Sequence, residues 1–277
     1  MPPLLSMGIR FSLAGIILLL FIFLKQGRKA FSIPKPEIYS ASVLGFVTLG
    51  FGLGNVAVSS KHVPTGVVSL IIAALPLWIA LFRSVAREKI SKLTWVGTLV
   101  GFAGVVVLLK PGSIESVSGV DSQTLFFYMF MVLIGNVGWA LGTYLAPRFP
   151  IPKNSLLFTG VEMLAGGIAL TIAAFIRGES LSDFLDGSSS SWFWFFYLVF
   201  VGSIAGYTAY LWLVMNAPVS LTATYAYVNP VIAVLLGVLF LKEKITLNYA
   251  FGGLIIWLGV LIVVSSESGK KRELKAN

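Results

Sequence analysis

Nine apolar stretches, each roughly 18–24 residues long, run through this chain, and a bilayer about 30 Å thick is the solvent that such lengths fit. They lie at Leu4–Leu24, Ile38–Val58, Thr65–Val85, Leu93–Leu109, Thr124–Leu145, Asn154–Ile176, Ser191–Val214, Ser220–Leu241 and Asn248–Ser265. Between them stand Pro, Gly and charge, as at Lys61–Pro64, Arg87–Lys92 and Lys242–Lys244. The runs are long and lack strict alternation, which predicts membrane helices rather than strands of a barrel. The fold class is therefore an all-α integral membrane protein.

Composition agrees. Of 277 residues, 57% are hydrophobic and only 11% charged, where a soluble domain carries about a quarter charged. A net charge of +9 could point to nucleic acid, but the basic residues sit in short clusters between apolar runs and form no continuous face. No nucleic-acid partner is expected. There is no cysteine, hence no disulfide framework or thiolate metal site. The one histidine, His62, excludes a multi-histidine centre; it stands at an outer loop edge, where a proton relay is the functional reading. No metal, cofactor or ATP-binding loop is implied. The first stretch lacks a basic leader and a cleavage site and ends in Lys25, Arg28 and Lys29, so it reads as a span and not a signal peptide.

Orientation follows from Lys and Arg. With the tail (Lys270, Lys271, Arg272, Lys275) inside, the loops on its side add Lys25, Arg28, Lys29, Lys35, Arg83, Arg87, Lys89, Lys92, Arg148 and Lys153. The other side has Lys61, Lys110, Arg177, Lys242 and Lys244. The C-terminus is expected in the cytoplasm. Short loops and the absence of cysteine fit a bacterial inner membrane.

The chain also repeats itself at an offset of roughly 152–155 residues. Leu4-Leu5-Ser-Met-Gly-Ile-Arg10 lies over Leu156-Leu157-Phe-Thr-Gly-Val-Glu162, with Gly8 on Gly160 and Gly15 on Gly167. Pro64 and Pro76 lie over Pro218 and Pro230, Glu88-Lys89-Ile90 over Glu243-Lys244-Ile245, and Gly97 and Gly104 over Gly252 and Gly259. Spans one to four thus match spans six to nine. The fifth has no partner, so the repeat unit is expected to be five helices with its first member missing from this sequence, through a fragment, a start codon placed too late or a genuine nine-span form. Five helices per repeat make the two repeats inverted, the architecture of alternating-access carriers. Residues 1–110 are the first repeat, 111–123 an external loop, 124–265 the second repeat and 266–277 a basic cytoplasmic tail.

Arg10-Phe11 early in one helix, Tyr225-Ala-Tyr-Val-Asn-Pro230-Val-Ile-Ala-Val, Glu243-Lys244-Ile245 and the run from Gly252 to Gly259 resemble the EamA family of the drug/metabolite transporter superfamily. The resemblance covers essentially the whole chain. It implies a ten-helix fold of two five-helix repeats and, in many members, export of amino acids or other small metabolites. It also implies that the helices bearing Asn55, Ser69 and Trp78, Asn136 and Trp139, and Tyr207 and Tyr210 face a central cavity.

Other side chains are weighed on their own chemistry. Pro76 and Pro230 fall mid-helix, where proline frees the carbonyl four residues earlier, at Ile72 and Ala226, and kinks the helix. Such a carbonyl needs a partner or a wet cavity, though packing kinks are common in membranes. Thr222, Tyr225 and Asn229 share a helical face, suited to a solute or to interhelical hydrogen bonds. Glu162 is the one acidic residue well inside a span and is a candidate for proton coupling or amine recognition, against which stands its place about two turns from the cytoplasmic end, within reach of water; its repeat equivalent, Arg10, can snorkel. Gly50, Gly52 and Gly54, like the Gly97–Gly101 pair, read as close helix packing. Trp192 and Trp194 read as an interfacial belt.

The leading expectation is a secondary transporter exporting a small metabolite, partnered by its substrate and the bilayer, with a second copy in a homodimer as a further candidate partner. A membrane-embedded enzyme is the alternative, but Glu179, Asp183 and Asp186 are scattered and no nucleophile–base pair is evident. A channel or a non-transporting sensor is a third reading.

Overall fold

The computed structural model describes residues 1–109, 120–216, 225–241 and 246–276. Every regular element among the described residues is helical. The order is α1 (Pro3–Gln26), α2 (Lys35–Ser59), α3 (Thr65–Val85), α4 (Lys92–Leu109), α5 (Ser122–Leu145), α6 (Ser155–Ile176), the short α7 (Leu181–Leu185), α8 (Ser189–Asn216), α9 (Tyr225–Leu241) and α10 (Leu247–Ala276). Among the described residues, seven helices are long and apolar enough to cross a membrane: α1, α2, α3, α5, α6, α8 and the first 20 residues of α10. Helices α4 and α9 are apolar too, with 18 and 17 residues.

Helix starts are marked by side-chain oxygens that take the free amide protons of a first turn. Asp121 Oδ1 accepts from the Gln123 and Thr124 amides ahead of α5, and Oδ2 from the Thr124 hydroxyl, which holds this exposed carboxyl below its usual range. Asn154 caps α6, Ser180 caps α7 and Ser188 caps α8. The start of α1 is closed from a distance: Leu4 and Leu5 donate their amides to the Glu179 carboxylate at 3.2 and 2.7 Å. A negative group there also opposes the positive end of the helix dipole.

Two of the long helices contain wide turns. Phe46–Leu53 in α2 and Leu198–Tyr207 in α8 are π-helical, each turn closing on the residue five positions on, a geometry that recurs at functional sites. Helix α3 is broken instead. It ends a first segment at Ala73, passes Ala74 with ψ near 0°, and restarts at Leu75 with Pro76 in the first turn, where proline has no amide to lose.

The chain forms two compact units. One is Met1–Ala57 with Gly142–Ala217, the other Val58–Leu141 with Pro218–Asn277. In the first, α1 and α6 run antiparallel along glycines. A Cβ on Gly15 would lie 2.8 Å from the Gly160 carbonyl oxygen, and one on Gly167 would lie 2.8 Å from that of Gly8. In the second, α4 and α10 do the same: a Cβ on Gly97 would meet the Gly259 carbonyl oxygen at 2.8 Å, and one on Gly104 that of Gly252 at 3.0 Å. Contacts this short admit only glycine, and the dispersion gained by close backbones takes over from a hydrophobic drive that lipid does not supply. Large apolar side chains on the outer faces, among them Leu20, Leu24, Ile172, Ile176, Phe240 and Leu254, are more than half exposed, as a lipid-facing surface requires.

Candidate functional site

The polar core of the first unit is built by glycine. A Cβ on Gly45 in α2 would run into the backbone of Glu162, and one on Gly166 in α6 would lie 2.7 Å from the Gly45 carbonyl oxygen. Helices α2 and α6 therefore touch at backbone distance. The Thr48 methyl also packs where Gly142 of α5 has no side chain. Held this way, Thr48 Oγ1 lies 2.9 Å from Glu162 Oε1, 2.7 Å from the Leu44 carbonyl oxygen and 3.4 Å from the Tyr207 hydroxyl. Thr48 sits in one wide-turn segment and Tyr207 ends the other.

Glu162 is 1% exposed and its Oε2 has no hydrogen-bond partner. A threonine hydroxyl has one proton to give, so Leu44 O and Glu162 Oε1 compete for it. When Thr48 donates to the carbonyl, its contact with Glu162 is a hydrogen bond only if the carboxyl brings a proton of its own. An unpaired charge buried in lipid is costly.

Around this centre Tyr207 meets Phe11 edge-on at 6.3 Å and leans on Tyr210 at 6.1 Å, and the Tyr210 hydroxyl lies 2.8 Å from Thr143 Oγ1. The Arg10 guanidinium sits 4.4 Å from the centre of the Phe11 ring, with Nε buried and without a hydrogen-bond partner. Asn55, also of this unit, turns back to donate to the Phe51 carbonyl at 2.8 Å. Of the expected residues the structure thus joins Glu162, Tyr207 and Tyr210. It adds Thr48, which nothing in the sequence marks, since a lone threonine in an apolar helix is common.

The second unit holds a different arrangement. Asn136, 1% exposed, donates Nδ2 to the Ile71 carbonyl at 2.8 Å and leaves Oδ1 without a partner. The break in α3 exposes that carbonyl, which also accepts from the Ala74 amide at 3.1 Å. Pro76 was expected mid-helix, releasing Ile72. It instead begins a new segment, and the carbonyl caught by a side chain is that of Ile71. Trp78 packs edge-on against Phe102 at 4.7 Å with its Nε1 buried, Ser69 bonds back to the Gly66 carbonyl at 2.7 Å, and Trp139 is half-buried. Asn229 is exposed on α9. Thr222 lies outside the described residues, as do the side chains of Tyr225 and Pro230. Among the described residues no cluster of three His, Asp or Glu side chains is placed to hold a metal.

The sequence profile of the EamA-like transporter family matches residues 1–110 and 126–265. The chain is 34% identical over 265 residues to the uncharacterized inner membrane transporter YedA of Escherichia coli (strain K12), covering 95% of this chain and 82% of that protein. It is 27% identical to the uncharacterized transporter YvbV of Bacillus subtilis (strain 168), over 98% of this chain and 85% of the relative. A solved crystal structure shares the fold with a TM-score of 0.66 at 20% identity, across 95% of this chain and 88% of the other. This multi-pass membrane protein belongs to the EamA-like transporter family.

Proposed function

We propose that the protein is a secondary transporter of a bacterial inner membrane that exports a small metabolite, an amino acid or a related compound, by alternating access. The observation that carries the reading is Glu162, an ionisable side chain buried within a span, hydrogen-bonded through one oxygen and bare on the other. Groups of that kind are rare in membranes and mark transport or proton paths. Helices α4 and α9 complete nine spans in this reading, and the halves are inverted repeats. The glycine contacts support it: Gly8 and Gly15 meet Gly167 and Gly160, and Gly97 and Gly104 meet Gly259 and Gly252. Each member of a matched pair touches the counterpart of the other, as a two-fold relation requires. The wide turns at Phe46–Leu53 and Leu198–Tyr207 overlap at the same offset.

In this mechanism Glu162 couples solute movement to a proton, taken up on one side and released on the other, with Thr48 and Tyr207 as hydrogen-bond partners. Asn55, Ser69, Trp78, Asn136, Trp139, Tyr210, Thr222, Tyr225 and Asn229 contribute to the substrate path, and Pro76 and Pro230 shape its helices. The elements packed against α6 carry few other ionisable side chains: Arg10 and Lys25 on α1, Lys35, Glu37 and Tyr39 on α2, and Tyr197, Tyr207 and Tyr210 on α8.

The test is metabolite profiling of the medium of expressing cells, followed by transport of the accumulated compound in proteoliposomes with imposed pH gradients. Accumulation of one or a few metabolites that depends on the protein, driven by the gradient and uncoupled from it in Glu162→Gln, is the expected result. Gradient-driven transport that survives Glu162→Gln would remove the coupling role, and no solute movement under any gradient would remove the carrier.

A further inference from the structure

At the end of α1 the chain reverses sharply. Gly27 takes φ 67°, a left-handed value that side chains rarely adopt, and the following 3₁₀ turn, Arg28–Phe31, folds back against the helix it has just left. Between the turn and α1 lies an open groove of about 600 Å³, lined by Ile16, Leu19, Leu20, Phe23, Arg28 and Phe31. Five of the six are apolar. The Phe23 and Phe31 rings, 6.3 Å apart, join the turn to the helix. Ile16, Leu20 and Phe23 are between 43% and 52% exposed, as on a face turned to lipid. Arg28 is the one charged side chain in the lining. It is exposed, makes no ion pair among the described residues, and is followed by exposed Lys29.

We propose that this groove is a binding site for one anionic phospholipid, its acyl chain along Ile16, Leu19, Leu20 and Phe23 and its headgroup phosphate on Arg28. The volume falls in the range of about 300–1,000 Å³ typical of small-molecule sites. A guanidinium offers paired donors that match phosphate oxygens. No acidic residue lines the groove to neutralise it, so a headgroup with net negative charge is preferred over a zwitterionic one. A basic pocket beside membrane helices is the arrangement that recognises such headgroups. The site involves none of Thr48, Glu162 or Tyr207 and stands apart from the proposed transport path.

The experiment is native mass spectrometry of the full chain in detergent, titrated with phosphatidylglycerol or phosphatidylcholine of identical acyl chains. The wild type is expected to retain one more phosphatidylglycerol than phosphatidylcholine. Arg28→Gln should lower that retention roughly tenfold, as for loss of a charge-assisted hydrogen bond, and Leu20→Trp, which fills the groove and keeps the arginine, should lower it as well. Lys153→Gln, removing another exposed charge, should leave it unchanged. Equal retention of the two lipids, an equal loss in Lys153→Gln, or full retention in Leu20→Trp would each overturn the proposal.

Discussion

Gly166→Ala asks how much of the buried polar centre depends on helix spacing. Gly166 lies one turn along α6 from Glu162, on the stripe that faces α2. The added methyl would stand 2.7 Å from the Gly45 carbonyl oxygen and 2.6 Å from the Leu49 Cβ. Ordinary contact begins at 3.4 Å, so the backbones must part by about 0.7 Å or the helix must turn. The same parting would stretch the Thr48–Glu162 bond from 2.9 Å to about 3.6 Å, beyond useful hydrogen-bonding range. Overpacking costs ~1–3 kcal/mol, and a lost interhelical hydrogen bond ~0.6–1.7 kcal/mol. Alanine regains ~1 kcal/mol over glycine as a helix former. The net is a destabilisation of about 1–4 kcal/mol. Gly202→Ala is the control, because its methyl meets only the Leu198 side chain, at 3.3 Å. Thermal melting in detergent, followed by fluorescence-detected gel filtration, should place Gly166→Ala below wild type and Gly202→Ala at or above it. Proteoliposome transport should fall with the first variant alone. A Gly166→Ala protein that melts with the wild type and transports normally would refute the spacing argument.

Asn136→Leu removes the donor to the Ile71 carbonyl and should lower stability in detergent by about 1 kcal/mol. Pro76→Ala should change it less, since proline in a first turn gives up no hydrogen bond; the reverse order would show that proline and not asparagine holds the break in α3. Glu179→Ala should unfasten the start of α1 at a cost of ~0.5–2 kcal/mol, with Glu179→Gln between it and wild type. Faster amide exchange at Leu4 and Leu5 in the alanine variant is the direct check. Thr48→Val keeps the shape of the side chain and removes its hydroxyl. It should leave expression and gel-filtration profile near wild type while altering the pH dependence of transport, and an unchanged profile would take Thr48 out of the proton path.

The spans are legible in the sequence because a bilayer imposes a length on any helix that crosses it, so α1, α3 and α6 lie within a few residues of the apolar runs. Glycine pairs such as Gly8 with Gly160 are legible as a repeat, but which glycine meets which is set by how the helices pack, and a linear pattern does not carry that. Glu162 stands out by cost alone, as an acid among apolar neighbours. Thr48 does not, because a hydroxyl in an apolar helix can always bond back to its own backbone, as it does here to Leu44. The wide turns of α2 and α8 leave no compositional trace beyond scattered glycine. Asn136 is legible as a polar side chain inside an apolar helix, but its bond to the Ile71 carbonyl follows from the break in α3, which the sequence does not announce. The break in α3 falls before Pro76, because a proline that opens a helix satisfies the same sterics as one that bends it.

The glycine-lined pairs also set a schedule. Helix α1 rests on α6, and α4 on α10, so each pair joins segments that leave the ribosome about 150 residues apart. At ~5–20 residues per second, the first member of each pair waits roughly 8–30 s for its partner. During that interval Gly8 and Gly15 of α1 present a smooth, unfilled strip to the lipid. Any other small-residue helix inserted nearby can settle on that strip, so the yield of folded protein depends on how fast the second half is made, and slowing translation between α2 and α6 is the way to lower it.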